Sequence, residues 1–308
     1  MREVLKIINK YDPGYFIEDL KELGVDVSKI LLLGSNENPY EPSEAVKKVY
    51  FESINSVRLY PDASYRELKK AIARYLNCEI ENIAVGCGAS ELINCICMAV
   101  LDVLDRVVIP IPSYTMYAIY AMLRDAHIEF PYFRDYDVKG DVIAELKPKL
   151  TFVCSPNNPT GNTVKRKVIE EIAENSGYVV VDEAYVEFAD SSNVDLALEY
   201  DNLIVLRSFS KFFGLAGLRA GYAIASKEIV EALEKIRLPF GISTVAAKAA
   251  IAAINSVEYY KKVRDKIIKE REKELAFHKQ YSFRLFLAEG EISHVCLLYT
   301  SPSPRDRG

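Results

Sequence analysis

Leu203-Ile204-Val205-Leu206-Arg207-Ser208-Phe209-Ser210-Lys211-Phe212-Phe213-Gly214-Leu215-Ala216-Gly217-Leu218-Arg219-Ala220-Gly221 runs an apolar stretch straight into two hydroxyls and a lysine, with Arg219 further on. The apolar residues read as a buried strand, so the strand end presents the amine from a fixed backbone. A lysine is ordinarily a solvated surface charge. Its place directly after an apolar strand argues instead for an amine that forms an imine with an aldehyde. The hydroxyls of Ser208 and Ser210 and the guanidinium of Arg219 suit a neighbouring phosphate.

Working outward, short apolar runs alternate with amphipathic stretches from about residue 82 to 225. Strands are expected at 82–86, 106–110, 150–154, 178–182 and 202–206. Helices are expected at 89–103, 114–123, 164–175 and 194–200. Unbroken Val/Ile strands separated by helices predict a mainly parallel sheet covered on both faces, an α/β fold. A further strand at 221–225 comes after a short connection and is expected to be antiparallel. Helices are expected again at 227–236, 244–254 and 257 to about 275, the last with Val257, Tyr260, Val263 and Ile267 on one stripe. Residues 276–308 lose this periodicity and end in Pro302-Ser303-Pro304-Arg305, which reads as an aberrant tail or a solvated terminus.

Composition narrows the class. With 308 residues, one large domain and a smaller one are expected. Half of the residues are apolar and 27% charged, which places the chain among globular proteins. A net charge of −5 argues against a nucleic-acid surface. No apolar run approaches the ~20 residues of a membrane span, and the N-terminus has no signal-peptide core, so cytoplasmic residence is expected. Six cysteines (78, 87, 95, 97, 154 and 296) show no C-x-x-C pair and read as reduced, structural thiols.

In such sheets ligands bind beyond the carboxyl ends of the strands. Gly86-Cys87-Gly88-Ala89-Ser90-Glu91 closes the first strand; it reads equally as a phosphate cradle at a helix N-terminus or as a plain strand-to-helix turn. Tyr114, after the second strand, either stacks on an aromatic ligand or packs. Ser155-Pro156-Asn157-Asn158-Pro159-Thr160-Gly161 is more constrained than a mere turn needs and points to function. Asp182, ending the fourth strand, needs a cationic partner if buried, and a protonated pyridine nitrogen serves; a helix cap is the other reading.

Together these residues resemble the fold-type-I enzymes that use pyridoxal phosphate, and within them the class I and II aminotransferases. Five segments carry the match: Gly34-Ser35-Asn36-Glu37-Asn38-Pro39-Tyr40, Arg58-Leu59-Tyr60-Pro61-Asp62, residues 155–161, residues 181–188 and residues 208–221. The resemblance implies a pyridoxal phosphate cofactor held through an imine at Lys211. Asp182 would pair with the pyridine nitrogen, and Asn158 and Tyr185 would reach the ring's 3′-oxygen. Gly88, Ala89, Ser90, Ser208, Ser210 and Arg219 would surround the phosphate, with Tyr114 stacked on the ring. Tyr60 would reach the phosphate of a neighbouring subunit, implying a homodimer, and Asn36 would line the substrate pocket.

The family's architecture implies a large cofactor domain over 36–255. A small domain would take 1–35 and 256–308, incomplete or aberrant after about residue 275. The implied reaction moves an amino group between glutamate and a phosphorylated compound, imidazole-acetol phosphate, giving histidinol phosphate for histidine biosynthesis. A decarboxylase of an amino acid such as threonine phosphate, or an inactive cofactor-binding chain, are the alternatives. The family's arginine for the substrate α-carboxylate has no counterpart before residue 275, and Arg284 and Arg305 are not assigned to that role.

Overall fold

A computed structural model describes residues 2–280, apart from residues 9, 10, 12, 13, 15 and 31–33, with side chains as far as Lys273 except that of Lys29. Seven strands form one sheet: β1 (Ile83–Gly86), β2 (Arg106–Val108), β3 (His127–Glu129), β4 (Leu150–Cys154), β5 (Tyr178–Asp182), β6 (Leu203–Ser208) and β7 (Gly221–Ile224). Their order is β1-β7-β6-β5-β4-β2-β3. Only β7 runs antiparallel to its neighbours, β1 and β6. The helices are α1 (Ile17–Glu22), α2 (Glu44–Glu52), α3 (Arg66–Leu76), α4 (Gly88–Val100), α5 (Met116–Met122), α6 (Gly140–Glu145), α7 (Arg166–Asn175), α8 (Val194–Glu199), α9 (Lys227–Ile236), α10 (Thr244–Asn255) and α11 (Val257–Gln280).

Alternation along the strands divides the core. Val179 and Val181 of β5 and Val205 of β6 face a cluster that includes Ile72 of α3, Ile172 of α7 and Ala249 of α10. Val180, Ile204 and Leu206 face the opposite cluster, with Leu92 of α4, Tyr117 of α5 and Leu233 of α9. The same period of two assigns the residues at the strand ends to one face or the other. Asp182 and Ser208 continue the α4/α5 face, while Glu183 and Arg207 continue the other.

The expected α/β class and mainly parallel sheet are those of the structure. Some boundaries move. β6 ends at Ser208 rather than Leu206 because Arg207 and Ser208 pair with Tyr222 and Gly221 of β7. The helix expected from Ala89 starts at Gly88 and ends at Val100. Elements not foreseen are α1, α2, α3, α6 and β3. Strand β3 is a three-residue edge whose only apolar residue is Ile128, too little for a period to register. Its identity comes from pairing with β2. The stripe on α11 behaves as expected at Tyr260 and Val263, both buried. Cys296, Arg284, Arg305 and the tail lie outside the described residues.

Candidate active site

The parallel strands bring their carboxyl ends to one edge of the sheet. Antiparallel β7 starts at that same edge, so Arg219, two residues ahead of it, is delivered there too. Gly221 lies against α4 so closely that a Cβ would stand 2.5 Å from the amide nitrogen of Ala89. Gly88 has φ +77°, and a Cβ there would meet the Arg219 guanidinium at 2.6 Å. Glycine is required at both positions, at Gly88 for its positive φ as well. The result is a side-chain-free start to a 13-residue helix, where amides of the first turn have no helical acceptor, with a guanidinium laid beside it.

Arg219 is itself held in the left-handed region, at φ 53°. Its Nη1 donates to the Ala216 carbonyl at 3.0 Å and to Ser210 Oγ at 3.4 Å. Ser208 Oγ accepts the Ser210 N–H at 3.0 Å, which turns the chain sharply out of β6. Ser90 Oγ lies 3.4 Å from the Tyr114 hydroxyl. Gly88, Ser90, Tyr114, Ser210 and Arg219 are thus linked into one neighbourhood, with Ala89 between the first two and Ser208 bonded to Ser210.

Asp182 is buried. Its Oδ1 accepts the Ala184 N–H at 2.9 Å and its Oδ2 accepts the Tyr117 hydroxyl at 2.7 Å. Burial pushes the carboxyl pKa up, and these two bonds with the Lys211 charge pull it back. Lys211 Nζ donates to the Ser35 carbonyl at 2.6 Å and lies 5.6 Å from the centre of the Tyr185 ring. The Tyr185 hydroxyl accepts from Asn36 Nδ2 at 3.0 Å. Asn158, half-buried, donates its backbone N–H to Cys154 Sγ at 3.4 Å. Tyr60 stands apart from this group: it is 81% exposed and stacks on Phe240 at 4.6 Å.

Several groups here go beyond the expected set. Asn38 Nδ2 donates to the Phe212 carbonyl at 3.1 Å and the Lys211 carbonyl at 3.4 Å, fastening the N-terminal segment to the lysine loop. Asn157 Nδ2 donates to the Pro112 carbonyl at 2.9 Å and Thr160 Oγ1 at 2.7 Å, shaping the loop that carries Asn158. Tyr117 sits three residues after Tyr114, inside α5, and its partner Asp182 lies too far along the chain for local spacing to reveal it.

On the opposite face, Arg207 and Glu183 form a buried ion pair, with Nη2 and Nε at 2.9 and 3.1 Å from Glu183 Oε2. Glu183 also accepts from Ser192 Oγ at 2.9 Å and from both nitrogens of Asn193. Glu187 is the second acid of this cluster. Its Oε1 is 3.8 Å from Arg207 Nη1 and has no hydrogen-bond partner. Burial pushes its pKa up to about 7, against the pull of Arg207. A carboxyl raised in the folded chain favours folding below its unfolded value, near 4.5, and loses that contribution as pH rises towards 7. Glu187→Gln is therefore expected to flatten the fall in stability between about pH 5 and 7, with a gain on the order of 1–3 kcal/mol at pH 8. Urea unfolding of both forms across that range measures it; parallel curves would be the contrary result.

The model of the aminotransferase class I and II family matches residues 28–276, and the chain belongs to that family. Its architecture is that of the fold-type-I, pyridoxal-phosphate-dependent transferases. Among curated proteins, histidinol-phosphate aminotransferase 2 of Archaeoglobus fulgidus is 60% identical over 273 residues, covering 89% of this chain and 78% of that protein. The histidinol-phosphate aminotransferase of Methanocaldococcus jannaschii is 38% identical over 284 residues, covering 88% and 76%. Among solved structures, histidinol-phosphate aminotransferase of Sinorhizobium meliloti in complex with pyridoxal-5′-phosphate aligns with a TM-score of 0.82 at 25% identity, covering 91% and 77%. Aspartate aminotransferase of Thermus thermophilus with maleate aligns equally well, at 0.82, over 94% of this chain and 83% of that one. Its 19% identity carries the fold alone.

Proposed function

We propose that this chain is a pyridoxal-phosphate-dependent aminotransferase that exchanges an amino group between glutamate and imidazole-acetol phosphate, yielding histidinol phosphate in histidine biosynthesis. The observation that carries the chemistry is the meeting of Lys211, Tyr185, Asp182 and the Gly88–Arg219 cradle at one sheet edge. The choice of substrate is supported by the 60% identity to a histidinol-phosphate aminotransferase.

The residues fit the cofactor. The opening before α4 admits no side chain at Gly88 and has a cation beside it, which suits a phosphate. Asp182 is a buried carboxylate hydrogen-bonded by neutral donors, a donor set that suits a protonated ring nitrogen. When bound, pyridoxal phosphate supplies an aldehyde that takes up amino groups and a ring that accepts electrons from the substrate's α-carbon.

The amide groups at 88–90, the hydroxyls of Ser208 and Ser210 and Arg219 would hold the phosphate. Asp182 would keep a ring nitrogen protonated, Asn158 and Tyr185 would supply hydrogen bonds to the 3′-oxygen, and Tyr114 would pack on the ring. Lys211 Nζ would be the amine that anchors the cofactor's aldehyde. A free amine at that position would also be placed to act as general base for the proton of the substrate's α-carbon. Asn36, bonded to Tyr185, borders the substrate side.

The large domain would take 36–255 and the small one 1–35 and 256–308, incomplete or aberrant after about residue 275, with residues 281–308 lying outside the described residues. The working unit is a homodimer in which Tyr60 serves the neighbouring subunit's phosphate. In support, Phe51, Val57, Leu59, Tyr60 and Leu238 are all more than half exposed in the single chain, an apolar set that a second copy would cover. No helix among the described residues is long and apolar enough to cross a membrane. Cytoplasmic residence is supported by five described cysteines that are free thiols.

Incubation with histidinol phosphate and 2-oxoglutarate tests the reading. Glutamate formation is expected. No glutamate, but CO₂ from threonine phosphate, would replace the proposal with the decarboxylase reading, and which α-carbon bond breaks is set by substrate orientation rather than by the fold.

A further inference from the structure

Tyr117 is fully buried on α5. Its ring stacks on Phe152 at 4.7 Å with 8° between planes and meets the edge of Tyr114 at 5.5 Å. Both rings fix its direction, and its hydroxyl points at Asp182 Oδ2, 2.7 Å away. A buried phenol needs a partner, and this one has a carboxylate as its acceptor. The Ala184 N–H occupies the other oxygen. Each carboxylate oxygen then keeps a lone pair, and the rotation of the group is fixed from both sides.

We propose that Tyr117 is a positioning residue for Asp182: its hydroxyl holds the carboxylate ionised and sets which lone pairs stay open to the cofactor's ring nitrogen. This rests on the reading of Asp182 given above. The surroundings agree. Among the influences opposing the burial of Asp182, the Tyr117 bond is the largest, and the Ala184 amide comes next. Glu183, next in the chain, works in the raising direction and Lys211, after β6, in the lowering one. From β4, Cys154 faces the Tyr117 hydroxyl and, with burial and Asp182, holds that phenol well above its ordinary range, so it stays a donor.

The test is cofactor affinity, measured by equilibrium dialysis of the cofactor-free chain between pH 5 and 8. Two ligands are used: pyridoxal phosphate, and an analogue with C–H in place of the ring nitrogen. Tyr117→Phe is expected to weaken pyridoxal phosphate binding roughly tenfold on the acid side and to move the acid limb up by about one pH unit. The analogue should bind Tyr117→Phe and the unsubstituted chain alike. In an Asp182→Asn background the tyrosine substitution should have no effect on the limb. Phe152→Leu, which loosens the same packing but keeps the hydroxyl, should leave the limb in place.

Equal weakening for both ligands, or a limb moved as far by Phe152→Leu, would reduce Tyr117 to packing and overturn the proposal. A limb unmoved by Tyr117→Phe but moved by Asp182→Asn would also overturn it, leaving the Asp182 reading intact. A limb moved by neither would overturn both.

Discussion

Lys211→Ala is expected to abolish glutamate formation from histidinol phosphate and 2-oxoglutarate, by at least about a thousandfold, while the chain stays folded. The magnitude comes from removing two functions at one atom. On the proposed reading Nζ would be both the anchor at the aldehyde carbon and the base at the substrate α-carbon, a proton transfer worth roughly 10²–10⁴ by itself. Its surroundings are made for an amine that changes partner. Nζ sits between the Ser35 carbonyl and the face of Tyr185, so it has a place to rest when displaced. Folding should be indifferent, because Phe209, Phe212 and Phe213, not the half-buried lysine, fill the core around this loop. The checks are steady-state turnover, thermal unfolding and the visible absorbance of added pyridoxal phosphate. An unchanged spectrum, or more than about a hundredth of the turnover, would remove the assignment.

Arg207→Leu is expected to destabilise the fold by about 3–5 kcal/mol, the cost of leaving a buried carboxylate unpaired. Position 207 is buried, and Glu183 takes two of its hydrogen bonds from Arg207. The pair is a cross-strand tie: Asp182 is in register with Leu206, so Glu183 falls opposite Arg207 just beyond the β5 end. It lies one residue from Asp182 on one strand and one from Ser208 on the other. Loss of the tie should therefore weaken cofactor binding as well as stability. Replacing both partners, Glu183→Leu with Arg207→Leu, should recover much of the stability, because Glu183 no longer leaves an unpaired charge and Glu187, whose carboxyl pKa burial already pushes up to about 7, can stay protonated. Urea unfolding of the single and double variants decides it; a double variant as unstable as the single one would show that shape rather than charge governs this spot.

The site was legible where local sequence constrains it. The apolar run into Ser208-Phe209-Ser210-Lys211 announces itself in a few residues, whereas the turn at Gly88 and the carboxylate ending β5 each kept a second reading open until the fold placed them. Asn38, Asn157 and Tyr117 did not announce themselves, because each acts on a partner far along the chain. Tyr117 and Asp182 are 65 residues apart, and Asn38 and Phe212 are 174 apart. The ion pair is a similar case: Glu183 and Arg207 were visible as charges after and within apolar strands, but a single chain does not state its register. Strand β3 and the last two residues of β6 owe their state to neighbours rather than to their own pattern.

By itself the sequence determined the strand-and-helix rhythm, the parallel sheet and the chemistry at each strand end, because burial and backbone freedom are properties of short stretches. Only the tertiary structure decided which faces those ends share. A pleat of period two sends Asp182 towards α5 and Glu183 the other way, and antiparallel β7 returns Arg219 to the edge where Lys211 stands. Those are long-range facts, set by pairing and packing between segments that have no contact until the chain folds.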